Sequence, residues 1–163
     1  MRQGLNPAQP QPPVQGGSEQ NWSRTEVEQN VALERTAINP VTWSTELGFD
    51  SGVLVAGGTR TLYCSGQTAT GPDGTPMHAG DVAAQLTLSI DNLEAVLTAA
   101  GMTAANLVRL NVFTTDVDLL MPHYGLLASW LGAAGVAPAT TMLGVSRLAI
   151  PGQVIELEGT AVG

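Results

Sequence analysis

The feature that most constrains the fold is an alternating segment at the end of the chain. Residues 154–162 read Val-Ile-Glu-Leu-Glu-Gly-Thr-Ala-Val, and this alternation of apolar and polar side chains predicts a half-buried strand. Residues 138–148 predict another strand just before it. Glu156 and Glu158 are two residues apart, so both carboxylates point to the same face, about 7 Å apart along the strand. Burying such a pair costs free energy unless the carboxylates have partners or a chemical task.

Composition narrows the class of protein. The chain has 163 residues, of which 44% are hydrophobic, and this is enough for one domain with its own core. A net charge of −8 opposes nucleic-acid binding, because that binding draws mainly on cationic contacts to phosphate. All six basic residues are arginines. The absence of lysine excludes lysine Schiff-base catalysis and a Walker-type phosphate-binding lysine.

Few residues are available for metal binding or covalent chemistry. Cys64 is the one cysteine, so no internal disulfide can form and we expect a reducing compartment. His78 and His123 lack the spacing of a zinc site, and we predict neither a metal nor a cofactor. No apolar run approaches the ~18 residues of a transmembrane helix, and the first residues lack a secretory signal pattern. We therefore expect a cytoplasmic protein with no membrane contact.

Periodicity and capping residues predict the order of the elements. Asp81 begins an amphipathic helix that ends at Gly101, and a second helix covers roughly 119–134 with Pro122 in its first turn. Gly57-Gly58 suits a two-residue hairpin turn between the strands that flank it. The remaining predicted strands are 33–38, 52–56, 59–68 and 107–115. These elements predict an α+β fold with a single mixed β-sheet of about six strands and two helices packed on one face. The other face should be apolar and should favour oligomerisation.

Four local signatures resemble those of a known family. They are Tyr-Cys-Ser-Gly-Gln at 63–67, Gly-Asp-Val-Ala-Ala-Gln at 80–85, Val-Arg-Leu-Asn-Val-Phe at 108–113, and the two C-terminal strands. In this order and at this spacing the chain resembles the RidA/YjgF family of enamine/imine deaminases, within the endoribonuclease L-PSP superfamily. The resemblance implies a chorismate-mutase-like (RidA) fold over residues 34–163. It also implies a homotrimer with pockets between neighbouring subunits.

Residues 1–33 are interpreted as an extension of that domain. Residues 1 to about 22 are rich in Pro, Gln and Gly and have almost no apolar content, so we expect them to be disordered. Val27 and Val31 have helical spacing, which indicates at most one short helix. A passive tail is the favoured interpretation, and a docking peptide for a protein partner is the alternative.

Two positions of the resemblance decide the predicted chemistry. Glu156 matches the family glutamate that positions the hydrolytic water, and one carboxylate can act as general base and then as general acid. The alternative for Glu156 is a structural ion pair with Arg109 or Arg147. Thr140 occupies the position of the family's substrate-binding arginine, which holds a substrate carboxylate as a bidentate fork. Because Thr140 has no charge, we expect a 2-imino acid to bind poorly.

The other predicted substrate-binding residues are Ser65, Gly66, Trp43, His123, Met142 and Arg109. Ser65 and Gly66 match the family's Ser-Gly, where a hydroxyl and a backbone N–H can hold a ligand oxygen. Trp43 falls near a family tyrosine on the loop that closes the pocket, and His123 falls near a family asparagine. A surface or capping role is the alternative for His123, and a surface or interface ion pair is the alternative for Arg109.

Together these residues predict a RidA-like trimer with inter-subunit pockets. The predicted activity is that of a hydrolase or deaminase acting on a small carbonyl or imine metabolite, with its specificity altered by Thr140. A non-catalytic sensor of a small metabolite and a protein–protein adaptor are the alternatives. A polar pocket containing Glu156 and an ordered water would favour the enzyme, and a filled or apolar pocket would favour the adaptor.

Overall fold

The structure is a computed structural model that describes residues 32–41 and 43–163. Its elements in chain order are β1 (Glu34–Ile38), α1 (Trp43–Glu46), β2 (Gly52–Ala56), β3 (Thr61–Tyr63), α2 (Val82–Ala99), β4 (Leu107–Thr114), α3 (Val117–Leu120), α4 (Tyr124–Ala133), β5 (Ala139–Gly144) and β6 (Ile155–Val162). The predictions for the N-terminal tail, including the helix at Val27 and Val31, lie outside the described residues. The α+β class, with six strands and two longer helices, is confirmed.

The six strands form two sheets, whereas the sequence predicted one. β1 and β2 pair antiparallel by themselves, and the order in the larger sheet is β3-β6-β4-β5. β4 pairs parallel with β5 and antiparallel with β6, so the larger sheet is mixed, as predicted. The hairpin predicted at Gly57-Gly58 is wrong, because β2 pairs with β1 and β3 pairs with β6. The two glycines, at φ of 74° and 79°, instead connect the two sheets.

Arg35 joins the two-stranded sheet to the larger one. Its guanidinium donates to the carbonyls of Ala105 and Leu107, where β4 begins. Burial lowers the pKa of Arg35, and the charge of Asp50 opposes that shift. Asp50 also accepts a hydrogen bond of 2.6 Å from Asn39, which closes the connection between β1 and β2.

Helix α2 follows the predicted pattern. The Asp81 side chain accepts from the backbone N–H of Ala84 at 3.0 Å and so caps the N-terminus. Gly101 follows the C-terminus at φ 69°, a left-handed conformation that costs glycine no strain. The predicted apolar stripe is buried against the larger sheet: Val82, Leu86, Ile90, Leu93 and Leu97. Each such side chain contributes about 1.5–3 kcal/mol when it leaves water, so this stripe is a main source of stability.

The second predicted helix is interrupted. Asp116 caps α3 by accepting from the N–H of Leu119 at 2.9 Å. A 3-10 turn that contains Pro122 follows, and α4 begins at Tyr124. Pro122 has no N–H to donate to the preceding turn, which is why the α-helical hydrogen bonds stop there. The inward leucines are buried as predicted: Leu120, Leu127 and Leu131.

A buried glutamine holds the start of β6 in place. Gln85 on α2 is fully buried and donates to the carbonyls of His78 and Gly152, both at 3.0 Å. Its own side-chain oxygen accepts from the N–H of Val154 at 2.8 Å. All of the polar groups in this cluster are therefore paired, and the loop before β6 is fixed to the helix. The signature at residues 80–85 thus has a structural role.

The larger sheet has one covered face and one open face. The helices pack on the face that contains Leu110, Val112, Ile155 and Leu157, all of which are buried. The expectation that the opposite face is apolar is wrong. Most of its side chains are polar or charged, among them Arg109, Asn111, Thr141, Glu156, Glu158 and Thr160, and they surround the larger apolar or aromatic side chains Tyr63, Phe113 and Leu143. Any partner that covers this face must therefore match polar and charged groups.

Candidate functional site

Glu156 and Glu158 both point from β6 to the open face, as the alternation predicted. Glu156 borders a pocket of about 360 Å³ at one end of this face. The lining includes Gly66, Phe113, Arg147, Leu148, Glu156 and Glu158. The pocket thus contains two carboxylates and one guanidinium beside apolar walls.

A β-bulge brings Gly66 against Glu156. Tyr63 pairs with Thr160 and Gln67 pairs with Leu157. Tyr63 and Gln67 are four residues apart, whereas their partners on β6 are only three residues apart, so one extra residue bulges out of the strand. The bulge places the Gly66 backbone so close to the carboxyl group that a Cβ on residue 66 would lie 1.7 Å from Oε1 of Glu156. Glycine is required here by this contact, since its φ is not in the left-handed region.

Ser65 and Gly66 present polar backbone groups beside the pocket. Gly66 lines it, and Ser65 is exposed next to it. The Ser65 carbonyl accepts from Nε2 of Gln67 at 3.0 Å. Among the hydrogen bonds of the described residues, none uses the N–H of Ser65 or Gly66. The predicted role of this pair in holding a ligand oxygen stays a prediction.

The Glu156 carboxylate is half-buried and unpaired. Within residues 32–41 and 43–163 it accepts no side-chain or backbone hydrogen bond and forms no ion pair. Arg109, one of the two arginines considered as its partner, instead donates to Asn111 at 3.1 Å and to Thr141 at 2.6 Å. The structural ion pair is therefore not formed within a single chain, and the carboxylate can accept a proton from a bound molecule.

Glu158 has a structural partner. Its Oε2 accepts from Nδ2 of Asn111 at 3.2 Å, and Asn111 in turn accepts from Arg109. A row of hydrogen bonds thus crosses the open face. Arg109 belongs to this row, and it is not among the residues that line the pocket at Glu156.

Arg147 is a pocket residue that the sequence interpretation named only as a possible ion-pair partner of Glu156. The predicted strand extended to residue 148, but β5 ends at Gly144, so strand alternation does not determine the direction of Arg147. Arg147 lines the same pocket as Glu156. The other arginines in the described part of the chain donate hydrogen bonds within it, whereas Arg147 donates none there. Its place at the end of the predicted strand over residues 138–148, one of the segments that carry the family resemblance, was the available signal.

Thr140 and Glu156 lie on opposite faces of the sheet, so within a single chain they cannot line the same pocket. Thr140 pairs with Leu110 of β4, which is fully buried beneath the helices. Glu156 pairs with Phe113, three residues further along the same strand. Paired residues share a face and successive residues alternate, so Leu110 and Phe113 point in opposite directions.

Thr140 and Met142 line a second pocket, of about 170 Å³, on the helix side. Its other walls are Leu47, Phe49, Met121 and Tyr124. Trp43 lies beside it, because its ring packs edge-to-face on Phe49 with centroids 5.9 Å apart. His123 precedes α4 in the chain and makes no capping hydrogen bond with its side chain. The predicted substrate-binding residues therefore separate into an open-face group and a helix-face group.

The described residues offer little support for metal binding, thiolate catalysis or membrane insertion. The described residues contain no group of three or more His, Cys, Asp or Glu side chains that could hold a metal ion. No helix among them is long and apolar enough to cross a membrane. Cys64 is buried in the core, and burial raises the pKa of its thiol, which disfavours the reactive thiolate.

Comparison with known proteins gives the family. The family described as "Endoribonuclease L-PSP" matches residues 49–163. "Protein mmf2, mitochondrial" of Schizosaccharomyces pombe is 34% identical over 97 residues, covering 60% of this chain and 75% of that protein. "Protein DfrA" of Myxococcus xanthus is 32% identical over 114 residues, covering 70% and 84%. The cytoplasmic location stays a prediction, since the name of one relative places that relative in mitochondria.

The solved structures agree with the sequence relatives. A Yersinia pestis protein of unknown function, YyfB of the conserved Rid family, is 33% identical with a TM-score of 0.70. The similarity covers 79% of this chain and 98% of that one. Both the fold and the family match therefore extend over the domain that contains the two pockets, and the chain belongs to the RidA/YjgF family.

Proposed function

We propose that this chain forms a RidA-like homotrimer whose inter-subunit pockets hydrolyse a small imine or related carbonyl metabolite. Glu156 is the proposed general base. Thr140, in place of the family arginine, is proposed to alter the substrate specificity. The observation that best supports this proposal is the unpaired Glu156 carboxylate, held over the Gly66 backbone in a pocket.

The chemistry follows from that carboxylate. As a water oxygen attacks the imine carbon, Glu156 takes one proton from the water and passes it to the nitrogen, which gives a carbinolamine. The same carboxylate then carries the hydroxyl proton to the nitrogen, the C=O bond forms as the C–N bond breaks, and the products are a carbonyl compound and ammonia or an amine. One base that works in both steps contributes about 10²–10⁴-fold to the rate.

The opposite directions of Thr140 and Glu156 support a site made by two subunits. A single chain cannot bring both residues to one small ligand, because the sheet lies between them. A neighbour that places its open face against the helix-side pocket would bring its own Glu156 to Thr140 of the first chain. The polar row on the open face, with Arg109, Asn111 and Glu158, supplies the groups that such an interface would pair.

The proposed role of Glu156 is tested by Glu156→Gln, which keeps the size of the side chain and removes its charge. The assay generates imines from amino acids with an amino-acid oxidase and follows their loss with semicarbazide as the trap. We expect turnover to fall by about 10²–10⁴-fold. Unfolding free energy should change by less than ~1 kcal/mol, since no ion pair is broken within the chain.

Glu158→Gln is the matched control, because Glu158 points to the same face and its amide variant can still accept from Asn111. Its turnover should stay within about tenfold of the wild type. Light scattering on each protein should give about 50 kDa, the mass of three 16.8-kDa chains. A Glu156→Gln protein that turns over at the wild-type rate would remove Glu156 from the mechanism. A site that binds ligands but hydrolyses none would favour the sensor, the alternative function.

A further inference from the structure

The pocket that contains Thr140 has a chemical character of its own. It is small, about 170 Å³, and it lies on the helix side of the sheet, away from the pocket at Glu156 in the same chain. Its walls are Leu47, Phe49, Met121, Tyr124, Thr140 and Met142. None of these side chains carries a charge at neutral pH. A volume this small accommodates a group of only a few heavy atoms.

None of the described residues that line this pocket can neutralise a carboxylate. Thr140 is its one aliphatic polar side chain, and the hydroxyl donates to the Pro138 carbonyl at 2.9 Å. The Thr140 proton is therefore already engaged within the strand. A ligand carboxylate placed in this pocket would lose its hydration without gaining a cation from the pocket walls, which is strongly unfavourable.

Tyr124 provides one free hydrogen-bond donor. Its ring is half-buried in the pocket wall, and its hydroxyl has no hydrogen-bond partner among the described residues. Burial raises the pKa of Tyr124, so the hydroxyl stays protonated at neutral pH and can donate. A ligand carbonyl oxygen or imine nitrogen is the acceptor that this donor fits.

We infer that this pocket binds a small, uncharged ligand with a compact apolar group and one carbonyl or imine acceptor, which the Tyr124 hydroxyl recognises. The inference rests on the proposed function, since it names the substrate class of that same composite site. The family's use of an anionic substrate is replaced here by recognition of an apolar group. Leu47, Phe49 and the two methionines supply the apolar contacts.

The test compares two probes of nearly equal shape, 3-methylbutan-2-one and 3-methyl-2-oxobutanoate. They share the isopropyl ketone and differ in a methyl group against a carboxylate. The full chain is labelled with ¹³C at its methionine methyls and titrated with each probe by NMR. Met121 and Met142 line the pocket, whereas Met77 and Met102 lie outside it and serve as internal controls.

The neutral ketone should shift the Met121 and Met142 signals and leave the Met77 and Met102 signals in place, and the keto acid should bind at least about tenfold more weakly. Tyr124→Phe should weaken binding of the ketone about tenfold, because it removes only the hydroxyl. Thr140→Arg should reverse the preference by adding a cation. This second variant keeps the test decisive if Tyr124→Phe does not fold.

Two results would overturn the inference: no shift of either pocket methionine with the ketone, or keto-acid binding as tight as that of the ketone in the wild type. Failure of the proposed catalysis gives a different result. In that case Glu156→Gln has unchanged turnover, whatever the methionine signals show. Binding of the ketone in the Glu156→Gln protein therefore separates recognition by this pocket from the chemistry assigned to the carboxylate.

Discussion

Replacing Gly66 by alanine should displace the Glu156 carboxylate and leave the rest of the fold intact. The backbone of Gly66 is not in the left-handed region, so alanine can adopt it. The added Cβ would lie 1.7 Å from Oε1, 2.5 Å from Cδ and 2.9 Å from Cγ of Glu156. Ordinary contact begins at 3.4 Å, so the distance to Oε1 must double. The three nearest atoms all belong to this one side chain, and it is therefore the group that moves.

The size of the effect differs between stability and rate. Turning one half-buried side chain away from its preferred rotamer costs about 0.5–1.5 kcal/mol. A catalytic group displaced by more than ~1 Å loses about 10²-fold in rate. Gly66→Ala should thus resemble Glu156→Gln in turnover and should fold nearly as well as the wild type. The measurements are imine hydrolysis on the full chain and denaturant unfolding.

Two control variants isolate the cause. In a Glu156→Ala background the clash is gone, so adding Gly66→Ala should change the unfolding free energy by less than ~0.5 kcal/mol. Gly125→Ala places a Cβ on helix α4 with nothing within 4 Å, and it should be neutral or slightly stabilising. Imine hydrolysis by Gly66→Ala at the wild-type rate would contradict this account, and so would equal destabilisation of the Glu156→Ala protein and the wild type by Gly66→Ala.

Two further changes test the core. Gln85→Leu removes the hydrogen-bond partners of two carbonyls and one N–H, so the free energy of unfolding measured with denaturant should fall by about 2–4 kcal/mol. The control Thr87→Ala, on the exposed side of the same helix, should lower it by less than ~0.5 kcal/mol. Burial raises the pKa of the Cys64 thiol above its ordinary value of 9.0. The protonated thiol therefore stabilises the folded state fully below pH 9.0, and this stabilisation is lost as the pH rises through the pKa of the folded state. Unfolding at about pH 8 and about pH 10.5 should therefore show a larger alkaline loss for the wild type than for Cys64→Ala, and equal losses would contradict this account.

Local signals predicted the helices and the shared face of the two glutamates. The Asp81 cap, the apolar stripe and Gly101 act within a few residues of each other, so the bounds of α2 follow from sequence. Glu156 and Glu158 share a face because alternation along one strand is a local property. Pro122 was predicted in the first turn of one helix over roughly 119–134, and it instead lies in the 3-10 turn that separates α3 from α4.

Pairing between distant strands was not predictable in the same way. Gly57-Gly58 resembles a hairpin turn locally, but β2 pairs with β1 and β3 pairs with β6, which lies about a hundred residues away in the chain. The side to which Thr140 points depends on the register of β5 against β4, which no residue near position 140 determines. The direction of Arg147 was unpredictable for a related reason, since Arg147 lies beyond the end of β5, where strand alternation stops.

The opposite directions of Thr140 and Glu156 have a consequence for mixed assemblies. In the proposed trimer one subunit supplies the recognition pocket of a site and the next subunit supplies its base. A site is therefore active when its pocket is intact on one subunit and its Glu156 is intact on the next, whatever the other halves of those two subunits are like. Subunits with Glu156→Gln and subunits with a blocked pocket, for example Thr140→Trp, would each be inactive alone. Random mixed trimers of the two would regain about a quarter of their sites, because one interface in four would unite the two intact halves. Two inactive proteins would then complement each other when they are denatured, mixed in equal amounts and refolded together.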